Sequence, residues 1–270
     1  MRKFFRWATC ALVLVVVTIV GGSTVHAKKL HTNLVKLNTN LAKPAAPAPA
    51  ISLFEKYVDE VYNTAQLEQT GLNESVFKKA MTGFINLKIA NILPQTSSII
   101  TVVDFDKPSR EKRMWVVDLL SKELLIHTWV AHGSGSGTEM ANYFSNTDDS
   151  HESSLGFYVT DNIYVGKHGR SLRLDGLDEG FNDLARAREI VVHAAPYVSQ
   201  RTINQTGRIG CSWGCPAVSP NIAGKVINTI KGKTMLFING SDSSYTSKYL
   251  NEDNISADYL PSYILAANRS

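Results

Sequence analysis

Cysteine, surplus charge and long apolar runs are all scarce in this chain, and each shortage excludes something. Three cysteines in 270 residues cannot make a disulfide-stapled scaffold. Neither a His-x3-His nor a C-x2-C spacing occurs, so the patterns that announce a zinc site are missing, and no metal or other cofactor is expected. The formal charge is only +4, from 28 Lys and Arg against 24 Asp and Glu. Arg2, Lys3 and Arg6 open the chain; without these three, 25 basic residues face 24 acidic ones and the charge is +1. A chain this close to neutral offers no field to a polyanion, and nucleic acid is not an expected partner. The glycine-rich stretch 132–137 lacks the Lys-Ser/Thr of a phosphate loop and reads as a mobile loop edging a cleft. No internal repeat is present.

The one long apolar run, residues 8–20, has thirteen residues, short of the ~20 that cross a bilayer. Basic residues precede it and Val25-His26-Ala27 follows it, the pattern of a signal peptide over 1–27. The mature chain is then expected in the periplasm or cell envelope, as a monomer, and touching a membrane only if the signal stays uncleaved. Cys10 leaves with the signal, and Cys211 and Cys215 remain.

Residues 28–51 are poor in large apolar side chains and end in a Pro/Ala tract, the composition of a spacer. Residues 52–94 read as a helical pair. Leu53, Phe54, Tyr57, Val58, Val61 and Tyr62 recur at helical spacing, Gly71 closes the first helix, Asn73 caps a second, and Pro94 ends it. From 95 to 240 the period changes to two. Strand candidates lie at 99–105, 113–118, 122–131, 156–160, 171–174, 189–193 and 234–239, with one short helix over 221–231. That pattern predicts a mainly β domain, a mainly antiparallel sandwich or barrel-like sheet behind an N-terminal αα pair. Residues 241–270 form a polar tail with no periodicity.

The chemistry concentrates in two places. His193 ends the run Ile190-Val191-Val192, and Cys215 follows 22 positions later in the turn Ser212-Trp213-Gly214-Cys215-Pro216. A thiol becomes a strong nucleophile when a base takes its proton, and imidazole suits that task at neutral pH. Gly214 lets the backbone approach a substrate, with nearby N–H groups available to an oxyanion. A buried core cysteine and a satisfied core histidine are the alternative reading, and a Cys211–Cys215 disulfide would silence the thiol.

These motifs resemble the active-site signature of the L,D-transpeptidases of bacterial cell walls. Similar too are Trp115-Val116-Val117-Asp118, Ala131-His132-Gly133, Phe144-Ser145-Asn146, residues 153–158 and Gly166-Lys167-His168-Gly169, which match a divergent branch of that family over roughly 99–239. The resemblance implies an L,D-transpeptidase-like β-sandwich with a short helix. It implies a Cys215 nucleophile, a His193 base forming a thiolate–imidazolium pair, and the Ala194 carbonyl holding the second ring nitrogen. Ser212 would shape the turn, and Gly214 would help hold the oxyanion. Candidate substrate contacts are His168, Arg173, Arg208, Trp213 and Tyr158, the two arginines as carboxylate donors. The implied partners are peptidoglycan stem peptides, joined 3→3 through a cysteine thioester. The sequence departs from the family's common pattern at Trp213, where a histidine is usual, and at Ala217, where an arginine is usual. A Cys–His L,D-carboxypeptidase or cross-link hydrolase, and an inactive wall-binding protein, stay open as alternatives.

Overall fold

Alternating apolar residues along the strands serve two cores, one on each side of the sheet. In β1 (Ile99–Asp104), Ile100 and Val102 join Trp115, Val117, Phe157, Val159 and Phe237 on one side. Val103 joins Met114, Val116, Tyr158, Leu236 and Ile238 on the other. This is the period of two acting on strands that are covered on both faces. The computed structural model describes residues 49–262; the signal read over 1–27, the spacer up to 48 and the tail beyond 262 lie outside them.

The helical pair α1 (Ala50–Thr64) and α2 (Glu74–Ile89) covers the first core. α4 (Pro220–Ile230) packs into the second. The strands are β2 (Met114–Asp118), β3 (Glu123–Thr128), β4 (Val130–Ala131), β5 (Gly156–Gly166), β6 (Gly169–Gly176), β7 (Val191–Ala194), β8 (Ala217–Val218) and β9 (Met235–Asn239). They form one nine-stranded order, β3-β2-β1-β9-β5-β6-β7-β8-β4. Its two ends, β3 and β4, are separated in the chain by Trp129 alone. The sheet must therefore curl until its ends are neighbours, which makes it barrel-like.

Several elements differ from the sequence expectation. The spacer read over 28–51 gives its last two residues to α1, which starts after Pro49. α1 stops at Thr64, and Gly71, at φ 77°, instead caps a 3-10 turn over Glu68–Thr70. α2 stops before Pro94 is reached. Asn91 turns left-handed at φ 55° and the Ile92 N–H donates to the Leu87 carbonyl at 2.9 Å, a closing turn of the kind that ends many helices. The expected strand 122–131 breaks at Trp129, whose indole N–H donates to the Arg110 carbonyl at 2.9 Å. Two strand pairs, β1 with β9 and β7 with β8, are parallel. The tail read as polar and aperiodic buries Tyr249, Ile255 and Leu260 in the helix-side core. Asn86 on α2 donates to the carbonyls of Tyr249 and Asn251, each at 2.8 Å. The short α3 (Gln200–Thr206) carries no buried residue, and so offered no apolar stripe to read.

Gly83 sets how closely α2 lies on the sheet. A Cβ there would fall 2.0 Å from the Phe157 ring. Alanine would gain about 1 kcal/mol of helix propensity over glycine, but overpacking a filled core costs about 1–3 kcal/mol. The expected net effect of Gly83→Ala is a lower melting temperature. A variant as stable as the parent in thermal denaturation would show that the helix shifts freely on the sheet.

Candidate active site

β7 presents the histidine. Its neighbours are β6, through Leu172↔Val192 and Arg173↔Val191, and β8, through His193↔Ala217 in parallel register. His193 is 2% exposed, and its Nδ1 lies 3.0 Å from the Ala194 carbonyl oxygen. A carbonyl only accepts, so Nδ1 carries the proton and Nε2 is the basic nitrogen. Burial pushes the imidazole pKa down; the Ala194 carbonyl opposes this, and the neighbouring His168 and Lys167 add to it.

β8 begins two residues after the cysteine, and the turn is pinned from both sides. The Ser134 N–H donates to the Ser212 carbonyl at 2.8 Å, and the Ser212 N–H to the His132 carbonyl at 2.9 Å. Within the turn, Ser212 Oγ donates to the Cys215 carbonyl and accepts from the Gly214 N–H at 3.1 Å. The Gly214 N–H is thus engaged by Ser212, which leaves the Cys215 N–H as the turn's candidate oxyanion donor. Gly214 has φ 109°, and a Cβ there would lie 2.7 Å from the Glu152 carbonyl oxygen. Only glycine suits both the dihedral and the space. The stretch 132–137, expected to edge the cleft as a loop, is bonded to the cysteine turn through Ser134.

Cys211 and Cys215 are both free. The Cys215 thiol donates to the Glu189 carbonyl at 3.7 Å. Burial pushes its pKa up, against the lowering effect of the Val191 backbone and of Arg188 and Lys167. The upward shift of the thiol and the downward shift of the imidazole both favour the neutral forms in the substrate-free protein. Alkylation of Cys215 in the substrate-free protein is therefore expected to accelerate only above the ordinary thiol pKa of about 8.5. A rate already at its plateau near neutral pH, followed by mass spectrometry of the labelled peptide, would contradict this.

Cys215 and His193 open on one cleft of about 720 Å³. His168, Arg173 and Trp213 from the expected substrate contacts also line it. Two others do not. Tyr158 is fully buried in the second core with its hydroxyl 2.8 Å from the Ser154 carbonyl, because it stands on the inward face of β5. Arg208 turns back onto its own loop, donating to the Ile209 carbonyl at 3.0 Å and lying 3.7 Å from Cys211 Sγ. Arg173 lies over the Tyr164 ring, 4.4 Å from its centroid. Trp213 is 68% exposed and stacks on His151 at 4.7 Å.

Arg188 was not foreseen as a site residue. Its guanidinium donates to the carbonyls of Ser145 and Glu152 at 2.7 and 2.8 Å and to Ser150 Oγ at 3.2 Å. It thereby fastens the loop carrying His151 beside the cysteine turn. The next residue, Glu189, sits at φ 56° and turns its carbonyl to the thiol. Nothing in hydrophobic periodicity marks such a residue; only its place just ahead of the His193 strand hinted at it.

His132, outside the catalytic pair, has a different consequence. Its Nδ1 accepts from the buried Arg113 guanidinium at 2.6 Å, and its Nε2 faces the Gly137 carbonyl at 3.2 Å. Burial, then the Arg113 charge, pull its pKa down to about 4. The unfolded chain takes up that proton near pH 6.5 and the folded protein does not, so folding stability falls as pH drops from about 6.5 to about 4, by about 3 kcal/mol for this group. Denaturant melts across that range should show the fall, and His132→Gln should flatten it.

A family model for the L,D-transpeptidase catalytic domain matches residues 68–239. No curated protein matches the chain. Among solved structures, similarity is found to an L,D-transpeptidase from Mycobacterium smegmatis, at 13% identity and a TM-score of 0.33, over 53% of this chain and 59% of that one. L,D-transpeptidase 1 of Mycobacterium tuberculosis gives 13% and 0.30, over 53% and 62%. An L,D-transpeptidase from Stackebrandtia nassauensis gives 11% and 0.33, over 76% and 100%. The chain thus spans under two thirds of the length of the two mycobacterial proteins.

Proposed function

Since the chain belongs to the L,D-transpeptidase catalytic-domain family, whose members act on peptidoglycan peptides, we propose that it is an exported, cysteine-dependent transpeptidase that forms 3→3 cross-links. One observation carries the reading: Cys215 and His193 face a common cleft, with His193 Nδ1 fixed on the Ala194 carbonyl and Nε2 left basic. In the first step Cys215 Sγ attacks the carbonyl carbon of the third residue of a tetrapeptide stem while Nε2 takes the thiol proton. The Cys215 N–H faces the developing oxyanion. The C–N bond to the terminal D-Ala then breaks, His193 returns the proton to the leaving amine, and a thioester remains. In the second step a side-chain amine of another stem attacks the thioester, His193 takes its proton, and the thiol is regenerated.

Support for the neutral starting pair comes from the opposed pKa shifts of Cys215 and His193. The proton then moves during attack rather than before it, so the thiol is protected until substrate arrives. Export rests on the signal pattern at 1–27, and a periplasmic or envelope location follows from it.

The test is incubation of the purified protein with disaccharide-tetrapeptide and mass analysis of the products. Dimers that have lost one D-Ala are the expected result. Tripeptide monomers alone would establish an L,D-carboxypeptidase instead, and unchanged substrate with retained wall binding would leave only a binding protein.

A further inference from the structure

Two contacts bear directly on the plane of the His193 ring, and one is its bond to the Ala194 carbonyl. The other is His168, whose ring lies against the His193 ring with centroids 4.3 Å apart and planes at 27°. The chain builds this contact deliberately far from β7. β5 and β6 pair through Gly166↔Gly169, so Lys167 and His168 are the two residues of a tight hairpin turn, with Gly169 at φ 74°. The left-handed residue stands just after the turn pair, as when a type I turn is followed by an αL position, which glycine takes most easily. A register shift between Thr160 and Ile163 adds local twist to the hairpin.

A ring held by a single hydrogen bond can still tilt about that bond. The Ala194 carbonyl fixes the tautomer but bears no charge to hold an imidazolium in place, as a carboxylate would. A flat ring stacked on one face blocks the tilt. The titratable and charged groups lining the same cleft are Lys167 from the hairpin, Tyr164 and Arg173 from its strands, Asp148, Asp149 and His151 from the loop that Arg188 holds, Arg188 and Glu189 ahead of β7, Tyr197 after it, and the thiols Cys211 and Cys215.

We propose that His168 is a positioning residue for the base: its imidazole, packed on the face of His193, holds that ring where Nε2 serves the Cys215 thiol, and it acts through His193 rather than through the substrate. The proposal rests on reading His193 as the base.

Steady-state transfer kinetics on His168→Ala and His168→Phe test it. His168→Ala is expected to lower kcat about tenfold with KM changed less than about twofold, the mark of a misplaced catalytic group. Its acid limb in kcat/KM should move to higher pH, because His193 loses a covering ring that also holds its pKa down. His168→Phe keeps a flat ring and should restore kcat to within about threefold. A raised KM with unchanged kcat would overturn the proposal and make His168 a substrate contact. Failure of phenylalanine to rescue, or a pH limb that stays put, would overturn it too. NMR titration of the His193 ring in substrate-free protein reads the same contact without turnover. A rise in its pKa in His168→Ala supports the proposal and an unchanged titration refutes it, whether or not the transfer reaction itself is found.

Discussion

Cys215→Ala is expected to abolish dimer formation, a loss of about 10⁴-fold or more, because the acyl group is carried on the Cys215 sulfur and the second thiol lining the cleft, Cys211, is turned onto the Gly137 and Thr138 carbonyls. The reasoning separates chemistry from packing. The sulfur touches the second core only at its edge, and trading a small soft side chain for alanine there costs about 1 kcal/mol. The melting temperature should therefore stay close to that of the parent while the product disappears. Cys211→Ala is the informative companion. That thiol lies against the Gly137 and Thr138 carbonyls, 3.8 and 3.7 Å away, and beside Arg208. It has no place in the acyl transfer, so dimer formation should persist. Mass analysis of muropeptide products together with a thermal melt checks both variants. Dimers from Cys215→Ala, or loss of dimers from Cys211→Ala alone, would remove Cys215 from its role.

The strands that build the site were legible because their apolar residues alternate, and alternation reports burial whatever the topology. His193 and Cys215 stood out for the same local reasons: a histidine at the end of a β-branched run, and a cysteine beside a glycine that must turn. What the sequence hid is contact across the fold. Tyr158 sits in a stretch that resembles the family's substrate region, yet the pleat turns it inward, and one position along a strand decides which face a side chain takes. Arg188 looks like any surface cation until the loop at 145–152 is seen wrapped around it. β8 has two residues, too few for any period, and yet by pairing with β7 it brings the cysteine turn to the cleft that His193 lines. The protonation of the Cys215–His193 pair was hidden for a related reason. Burial of both groups is a property of the packed molecule, and it moves the two pKa values in the directions that favour neutrality.

His193→Gln tests that neutrality most directly. Glutamine can still hydrogen-bond near the Ala194 carbonyl but takes no proton, so the loss should fall within about 10²–10⁴-fold, the range for a general base. The pH dependence of what remains is the stronger evidence. Without a base, attack depends on the small fraction of thiol that ionises by itself. Residual activity should then climb about tenfold per pH unit until the thiol's own pKa is reached, which burial has moved upward. The parent should instead lose activity only on the acid side, below the depressed pKa of His193, where the base is already protonated. Initial rates of D-Ala release across the pH range distinguish the two profiles. A glutamine variant whose activity is flat with pH, or within about threefold of the parent at neutral pH, would mean that some other group accepts the proton of Cys215.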